Sequence, residues 1–239
     1  MKYFKYLKLG SVFLTILISQ TILIQLVSAQ EGEVTLNPTD DSYTNSSSPG
    51  SNYGGQSWLE VQRYEFYEEI DEEIAWLKFN LSDVPDGAVV DIATLELRCS
   101  SVSETYTVSA HYCSDNSWNQ LSLTYSNSPG FNATAMDTVA VASSFQWYSW
   151  DVGFAVRKGL NGIYGGPDVV TIVLRETVNR GILSFVSFSS SEVFGGEPEL
   201  TIHWTHIVPE FSSPLTLSLF LVTLLIGALV FRKTRRQME

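Results

Sequence analysis

The segment Ala75–Cys99, AWLKFNLSDVPDGAVVDIATLELRC, contains two runs of alternating apolar residues separated by a loop rich in Pro, Asp and Gly. The alternating residues are Leu77, Phe79 and Leu81 in the first run and Leu95 and Leu97 in the second. Successive side chains of a β-strand point to opposite faces, so each run predicts a strand that turns one face to a core. The segment therefore predicts two strands joined by a Pro-Gly loop.

The chain on both sides of this segment has the same character. Short runs rich in Val, Ile, Phe, Tyr and Trp recur, and Gly, Pro, Asn or Ser residues bound them. One stretch, GFAVRKGLNG at residues 153–162, is typical of a short helix that ends at Gly162. Many short strands without long helices between them predict an all-β fold, an antiparallel jelly-roll β-sandwich, over residues 30–205.

The N-terminal end has the pattern of an export signal. Lys2, Lys5 and Lys8 precede an apolar stretch, and the small residues of VSAQ follow it. We therefore predict that residues 1–29 are a secretory signal peptide, cleaved after Ala29. A retained N-terminal anchor is the alternative, because the apolar stretch is long for a signal.

The C-terminal end has the pattern of a membrane anchor. Residues 215–231 are apolar and uncharged, and the basic tail at residues 232–239 follows them. A helix over this range would extend about 26 Å, enough to cross a hydrocarbon core. Cations beside a span stay in the cytoplasm, so the domain would lie on the extracellular face of the cell membrane.

The linker at residues 206–214 contains a short motif, PEF, at Pro209–Phe211. PEF followed by an apolar helix and a basic tail resembles the archaeal PEF-type C-terminal sorting signal. That resemblance implies a membrane transpeptidase as a partner, which would cut near the motif and attach the protein to lipid. A plain single-span anchor is the alternative, and both interpretations place the protein at the cell surface.

The charge of the chain is strongly acidic between its two ends. Residues 1–29 and 232–239 hold seven of the 14 Lys and Arg residues but one of the 26 Asp and Glu residues, so the remainder has a formal charge near −18. Such a field repels nucleic acid and anionic lipid head groups, which excludes them as partners. It attracts cations, including calcium.

Cysteines and glycosylation sequons add two expectations for an exported domain. Cys99 and Cys113 are predicted to form a disulfide. Cys113 has the opposite strand parity from the apolar face of its own segment, which a β-bulge or a location in different sheets would reconcile. Acceptor sequons at Asn45, Asn80 and Asn132 predict surface glycosylation.

Five motifs occur in an order that resembles one family. They are DDSYTNSSSPGSNYGGQSWLEV at residues 40–61, the segment at 75–99, SDNSWNQLSLTYSNSP at 114–129, WYSWDVGFAVRKGLNGIYG at 147–165 and FVSFSSSEVFGGEPELTIHW at 185–204. The order resembles the DNRLRE-type β-sandwich domain, which is related to disaggregatase-associated domains and to an alginate-binding carbohydrate-binding module family. This chain departs from the family pattern at Asn80, Tyr125 and Gly153, where the family usually has Asp, Trp and Thr.

The resemblance implies a non-catalytic surface module that binds polysaccharide. Aromatic side chains stack on sugar C–H faces, so the candidates are the loop residues Tyr53 and Trp118, together with Trp58. The tryptophans in strand-like segments are interpreted as core residues instead; they are Trp76, Trp147, Trp150 and Trp204.

A structural calcium ion is the cofactor that this kind of module suggests. Calcium prefers several oxygen ligands, which Asp40, Asp41 and Asn52 could provide. Jelly-roll carbohydrate modules often hold calcium near the first strand, so the resemblance favours Asp41.

Two other functions remain open from the sequence. The domain could be a structural or adhesive envelope protein that binds other proteins. It could also be a polysaccharide-cleaving enzyme, although paired carboxylates discriminate nothing in so acidic a chain. Neither a nucleophile elbow nor a phosphate-binding loop is present in the sequence.

Overall fold

The computed structural model describes residues 27–66, 69–161, 164–179 and 184–209, together with residues 221, 222, 224, 225 and 232. Two compact units are present, one of Met1–Gln30 with Ile207–Glu239 and the other of Glu31–His206. The predicted signal peptide, PEF motif and apolar span lie almost entirely outside the described residues. No helix that the structure describes has the length and apolar character needed to cross a membrane.

Eleven strands, one short α-helix and a 3₁₀ helix at Tyr125–Asn127 make up the regular structure of the described residues between 27 and 209. The strands are β1 (Val27–Leu36), β2 (Asp40–Asn45), β3 (Trp58–Phe66), β4 (Glu69–Asn80), β5 (Val89–Val102), β6 (Tyr106–Cys113), β7 (Asp137–Val141), β8 (Trp147–Asp151), β9 (Val169–Glu176), β10 (Val186–Ser189) and β11 (Glu199–Pro209). The helix, α1, covers Gly153–Gly159 in the segment predicted to be helical. The all-β prediction is confirmed.

The strands form one curled sheet. Its order is β1-β11-β5-β10-β3-β4-β9-β6-β7, with β2 paired to β4 and β8 paired to β5. The described registers are all antiparallel. Because the sheet curls, its apolar faces enclose a main core as in a β-sandwich. The alternating residues of the opening segment lie in this core, where Leu77, Phe79, Leu95 and Leu97 are all fully buried.

Two strands change partner along their length. The first part of β5, Val89–Glu96, pairs with β11, and its last part, Cys99–Val102, pairs with β10. In β3, residues Trp58–Val61 pair with β10 and residues Gln62–Phe66 pair with β4. These changes place β5, β10 and β3 side by side, which positions the surface described below.

A second apolar cluster lies on the other face of β4. Ile74 and Trp76 alternate with the main-core residues of this strand and pack against Trp118, Leu123 and Phe131. Those three residues belong to the long connection between β6 and β7. Both faces of β4 are therefore buried, which explains its nearly continuous apolar run, IAWLKF.

The predicted disulfide is wrong for this structure, because Cys99 and Cys113 are both free and buried. Cys99 lies in the main core on β5, whereas Cys113 lies in the second cluster on β6. The Cys113 thiol donates to the carbonyl oxygens of Asp115 and Gly130, at 3.3 and 3.4 Å. The opposite strand parity of Cys113 noted in the sequence is confirmed, because its side chain points to the face of the sheet away from the main core. Burial raises the pKa of both thiols, that of Cys99 to about 11.

Candidate functional site

The three predicted sugar-stacking residues have different environments. Trp58 begins β3 and is 39% exposed. Tyr53 precedes it in the loop and is half-buried, because its ring stacks on that of Tyr43 with the centroids 4.3 Å apart. Trp118 is 7% exposed. Of the three, Trp58 offers the broadest aromatic surface to a ligand.

The prediction of Trp118 as a stacking platform is wrong, because protein groups surround its ring. Its indole N–H donates to Thr171 Oγ1 at 3.0 Å, and its ring meets Trp76 edge-on with the centroids 6.2 Å apart. Lys78 Nζ lies 4.8 Å from the centroid of the same ring. Trp118 therefore belongs to the second cluster, and it fixes the β6–β7 connection to the sheet.

The predicted calcium ligands do not converge on one point. Successive side chains of β2 point to opposite faces, so Asp40 pairs with Lys78 at 3.0 Å while Asp41 accepts hydrogen bonds from Ser191. Asn52 donates to two backbone carbonyl oxygens of the β6–β7 connection. Within the described residues, no three His, Cys, Asp or Glu side chains form a group that could hold a metal. The proposed ligand set does not fit a calcium ion.

Asp41 instead joins β2 to the loop that follows β10. Its carboxylate accepts from the Ser191 N–H at 2.7 Å and from the Ser191 hydroxyl at 3.0 Å. Burial raises the pKa of Asp41 to about 6, and the nearby Glu192 carboxylate acts in the same direction. The loop held in this way carries Val193 and Phe194.

An open groove of about 330 Å³ crosses the outer face of β5, β10 and β3. Its polar and aromatic lining consists of Ser57, Trp58, Glu60, Arg98, Ser100, Ser187 and Ser189. Ser187 is the registered partner of Glu60, and Ser189 is that of Trp58, so these side chains share one face. The alternate residues Leu59 and Phe188 point into the main core. Ser187 and Ser189 are buried at the floor of the groove, whereas the Trp58 side chain is exposed at its edge.

Exposed aromatic residues extend this groove on two sides. Trp147 of β8 is the registered partner of Arg98 and is 44% exposed. The exposed ring of Phe145 lies 5.6 Å from the Arg98 guanidinium carbon. Phe194 is fully exposed and follows Val193, which lines the groove. We call the groove together with Phe145, Trp147 and Phe194 the Trp58 surface.

Sequence reasoning missed most of the Trp58 surface. Trp147 was interpreted as a core residue, which is wrong because it has the opposite parity from Trp150. Trp150 pairs with Leu95 and is fully buried, so its strand turns Trp147 outward. This parity is visible in FQWYSWDV once Trp150 is known to face the core. No sequence pattern indicated Arg98, Ser187 or Ser189.

Three cations of the domain form ion pairs, because Arg63 and Arg175 pair with Glu72 and Lys78 pairs with Asp40. Arg98 forms no ion pair with any residue that the structure describes, and neither do Arg157 and Lys158. A cation without a carboxylate partner, in a groove that also holds hydroxyl groups and indole rings, can bind sugar hydroxyls or an anionic substituent.

Two neighbouring carboxyl groups, those of Glu60 and Glu73, lie beside Trp58. Glu60 lines the groove, whereas Glu73 is buried and its Oε1 accepts a hydrogen bond from Asn45 Nδ2 at 2.5 Å. Burial and the neighbouring Glu60 carboxylate raise the pKa of Glu73.

The predicted glycosylation sequons differ in how accessible their amides are. Asn45 is half-buried and its Nδ2 donates to Glu73. Asn80 and Asn132 are exposed, and each accepts a hydrogen bond at Oδ1 from the backbone two residues later. Nδ2 is free for attachment at these two positions among the contacts the structure describes.

The comparison with known proteins gives one family. A family model described as carbohydrate-binding module family 96 matches residues 32–204, which cover the whole described sheet except the ends of β1 and β11. No curated protein matches the chain.

Proposed function

The chain belongs to carbohydrate-binding module family 96, and we propose that it binds an extracellular polysaccharide on the Trp58 surface. The observation that carries this proposal is the row of Trp147, Arg98 and Trp58 across the outer face of β8, β5, β10 and β3. Indole rings bind the C–H faces of sugars, while guanidinium and hydroxyl groups bind their oxygen atoms.

The shape and charge of this surface favour an extended chain. The groove is open rather than enclosed, so successive sugars of a polymer can lie across β5, β10 and β3. Arg98 attracts a carboxylate on the ligand, whereas neutral sugars use the aromatic rings alone. Because the domain as a whole is strongly acidic, we expect uronic-acid polymers to bind more tightly than neutral polymers only where salt screens the long-range repulsion.

The carboxyl pair supports a non-catalytic role. Retaining glycosidases hold two carboxyl groups about 5 Å apart, and inverting ones hold them farther apart, so that the scissile bond lies between them. Glu73 is buried next to Glu60, so its carboxyl group is not placed to act on a sugar in the groove.

We also propose that the module acts on the outer face of the cell membrane. The support for this location is the charge pattern of the two ends, with an export-like start and a basic tail after an apolar run. A transpeptidase that processes the PEF motif would replace the span with a lipid anchor. Intact mass measurement of the membrane-bound protein distinguishes the two forms.

The test uses the full chain, purified in mild detergent and titrated against neutral and uronic-acid polysaccharides. Trp58→Ala should weaken binding about tenfold, because a stacked ring contributes roughly 1 kcal/mol or more. Arg98→Ala should weaken binding of uronic-acid polymers more than that of neutral ones. The matched control is Leu121→Ala, an exposed apolar residue on the β6–β7 connection, which should bind as wild type.

The outcomes of the titration distinguish a polysaccharide-binding module from an adhesive protein and from an enzyme. Saturable binding that Trp58→Ala weakens and Leu121→Ala does not supports the proposal. Flat titrations across the panel from folded protein would overturn it and favour an adhesive protein that binds other envelope proteins. Release of new sugar ends would instead indicate an enzyme. Repeating the series with calcium and with a chelator measures any contribution of calcium separately.

A further inference from the structure

A second cavity, of about 370 Å³, shares no residue with the groove. It lies where the end of the β6–β7 connection approaches α1. Its lining includes Asn132, Thr134, Met136, Asp151, Phe154 and Arg157. Two of these residues, Asn132 and Thr134, are the acceptor and the hydroxyl residue of one glycosylation sequon. The cavity is therefore built around an attachment point.

The backbone holds Asn132 in a defined position at the edge of this cavity. Its N–H donates to the Tyr112 carbonyl oxygen at 2.8 Å, and its own carbonyl oxygen lies 2.9 Å from His111 Nδ1. Its side-chain Oδ1 accepts from the Thr134 N–H at 3.0 Å. Because Oδ1 already accepts this hydrogen bond, the exposed Nδ2 is the side-chain atom available for a covalent bond to a glycan.

The cavity offers the groups that bind a sugar. Phe154 is 45% exposed, and its ring is braced edge-on by Tyr112 with the centroids 5.8 Å apart. Lys158 Nζ lies 5.8 Å from the centroid of the same ring. The Arg157 guanidinium lines the cavity beside Asp151 and donates to a backbone carbonyl oxygen at 3.4 Å. A ring face with donors and an acceptor around it can hold a pyranose.

The other two sequons lack this arrangement. Attachment at Asn45 would require its Nδ2 to give up the hydrogen bond to Glu73. Asn80 is exposed, but it lines neither of the two cavities described. Among the three sequons, Asn132 alone joins a free amide to a binding cavity.

We propose that Asn132 carries an N-linked glycan whose first sugars fold back into this cavity and stack on Phe154. The proposal rests on the export proposed above, since attachment requires it. A sugar tethered at the cavity wall has an effective concentration in the millimolar range, so weak stacking suffices to keep it seated. The seated glycan would join the β6–β7 connection to α1, since both elements line the cavity.

The first measurement is site occupancy in the full chain, expressed in a host that exports and N-glycosylates proteins. Peptide mass spectrometry should find the Asn132 peptide glycosylated, and Thr134→Ala should abolish the modification. An unmodified Asn132 in exported, folded protein would overturn the proposal. That result would leave polysaccharide binding on the Trp58 surface unaffected, so failure of the glycan proposal is distinguishable from failure of the binding proposal.

The second measurement tests whether the glycan is seated. Each variant is produced with and without glycosylation, and the melting temperatures of the two forms are compared. In the wild type the glycan should raise Tm by about 2–4 °C, and Phe154→Ala should remove that difference. Because the comparison is made within each variant, any loss of stability from Phe154→Ala itself cancels.

Controls make the second measurement decisive. Asn80→Gln should keep the Tm difference, and Asn132→Gln should remove it. Hydrogen exchange at residues 132–136 and 153–157 should slow in the glycosylated form. An equal Tm difference in wild type and Phe154→Ala would show a glycan that projects into solvent, and it would overturn the seating.

Discussion

At the scale of single residues, Trp58 and Trp118 show how the same side chain takes two roles. Both lie near polar, Gly- or Asn-rich stretches, and the Trp118 indole N–H has a hydrogen-bond partner in Thr171. The two tryptophans differ in what lies against the faces of their rings. The Trp118 ring has Trp76 and Lys78 against it, whereas Trp58 borders an open groove. Exposure of the ring, rather than residue type, separates a binding residue from a core residue.

Replacing Trp118 should destabilise the fold, because its ring fixes the β6–β7 connection to the sheet. Trp118→Ala removes a buried ring and a hydrogen bond to Thr171, and we expect a loss of about 3–5 kcal/mol in the free energy of unfolding. Urea denaturation measures this loss. Leu121→Ala, at an exposed position three residues away, should change stability by less than about 0.5 kcal/mol. Similar values for both variants would contradict the burial of Trp118.

The raised pKa of Asp41 predicts a pH dependence of stability. Its pKa rises from 3.8 to about 6 on folding, so the folded state binds a proton more tightly than the unfolded state. Stability from this group is therefore present below about pH 4 and is lost as pH rises through 6. Asp41→Asn removes the titration and should gain stability relative to wild type by up to about 3 kcal/mol between pH 4 and pH 7. A difference that stays constant across this range would contradict the buried, ionisable Asp41.

At the scale of elements, loops fix the edges of the candidate site. The NYGG loop before β3 packs its backbone against Gln120 of the β6–β7 connection. A Cβ added at Gly54 would lie 2.0 Å from the Gln120 carbonyl oxygen, whereas one at Gly55 would meet nothing within 4 Å. Only a glycine permits this approach at position 54. The loop then delivers Tyr53 to Tyr43 and leads directly into Trp58.

Two neighbouring glycines give a matched pair of variants for this contact. Gly54→Ala should force the loop away from Gln120 and cost about 1–3 kcal/mol of stability, and it should also weaken polysaccharide binding by displacing Trp58. Gly55→Ala should be close to neutral in both measurements. Thermal unfolding and titration of the two variants, side by side, provide the check. Equal effects would mean that the loop does not depend on this close approach.

At the scale of the whole molecule, the curled sheet separates residues that the sequence suggests are partners. Cys99 and Cys113 lie on consecutive strands, yet β5 and β6 are not neighbours in the sheet. β6 pairs with β7 and β9, while β5 pairs with β8, β10 and β11. The two thiols consequently face different clusters, and packing rather than a covalent bond holds this part of the domain together.

The free thiols can be counted directly. Native protein should react with a thiol reagent slowly or not at all, because both cysteines are buried and burial raises their pKa. Protein denatured without reductant should release two reactive thiols per chain, and reductant should not change its melting temperature. An absence of thiols after denaturation would mean that a disulfide forms after all.

The candidate site could be predicted from the sequence only in part. Trp58 was identified because it follows a Gly-rich loop and precedes a strand, and the structure leaves it exposed. Asp40 and Asp41 are adjacent in sequence, which suggested a shared ligand, but strand alternation separates them. Arg98, Ser187 and Ser189 come together because β10 inserts between β5 and β3, a pairing over more than 80 residues that no local pattern contains.

The sequence by itself determined the all-β class, the two strands of the opening segment and the face that these two strands turn to the main core. Those properties depend on the period of apolar residues along a single strand, which is local. The tertiary structure decided which loops pack against each other, which cluster each thiol enters and which outward-facing residues share a surface. These properties depend on which strands become neighbours, and that choice is made by packing between distant segments when the sheet curls around its core.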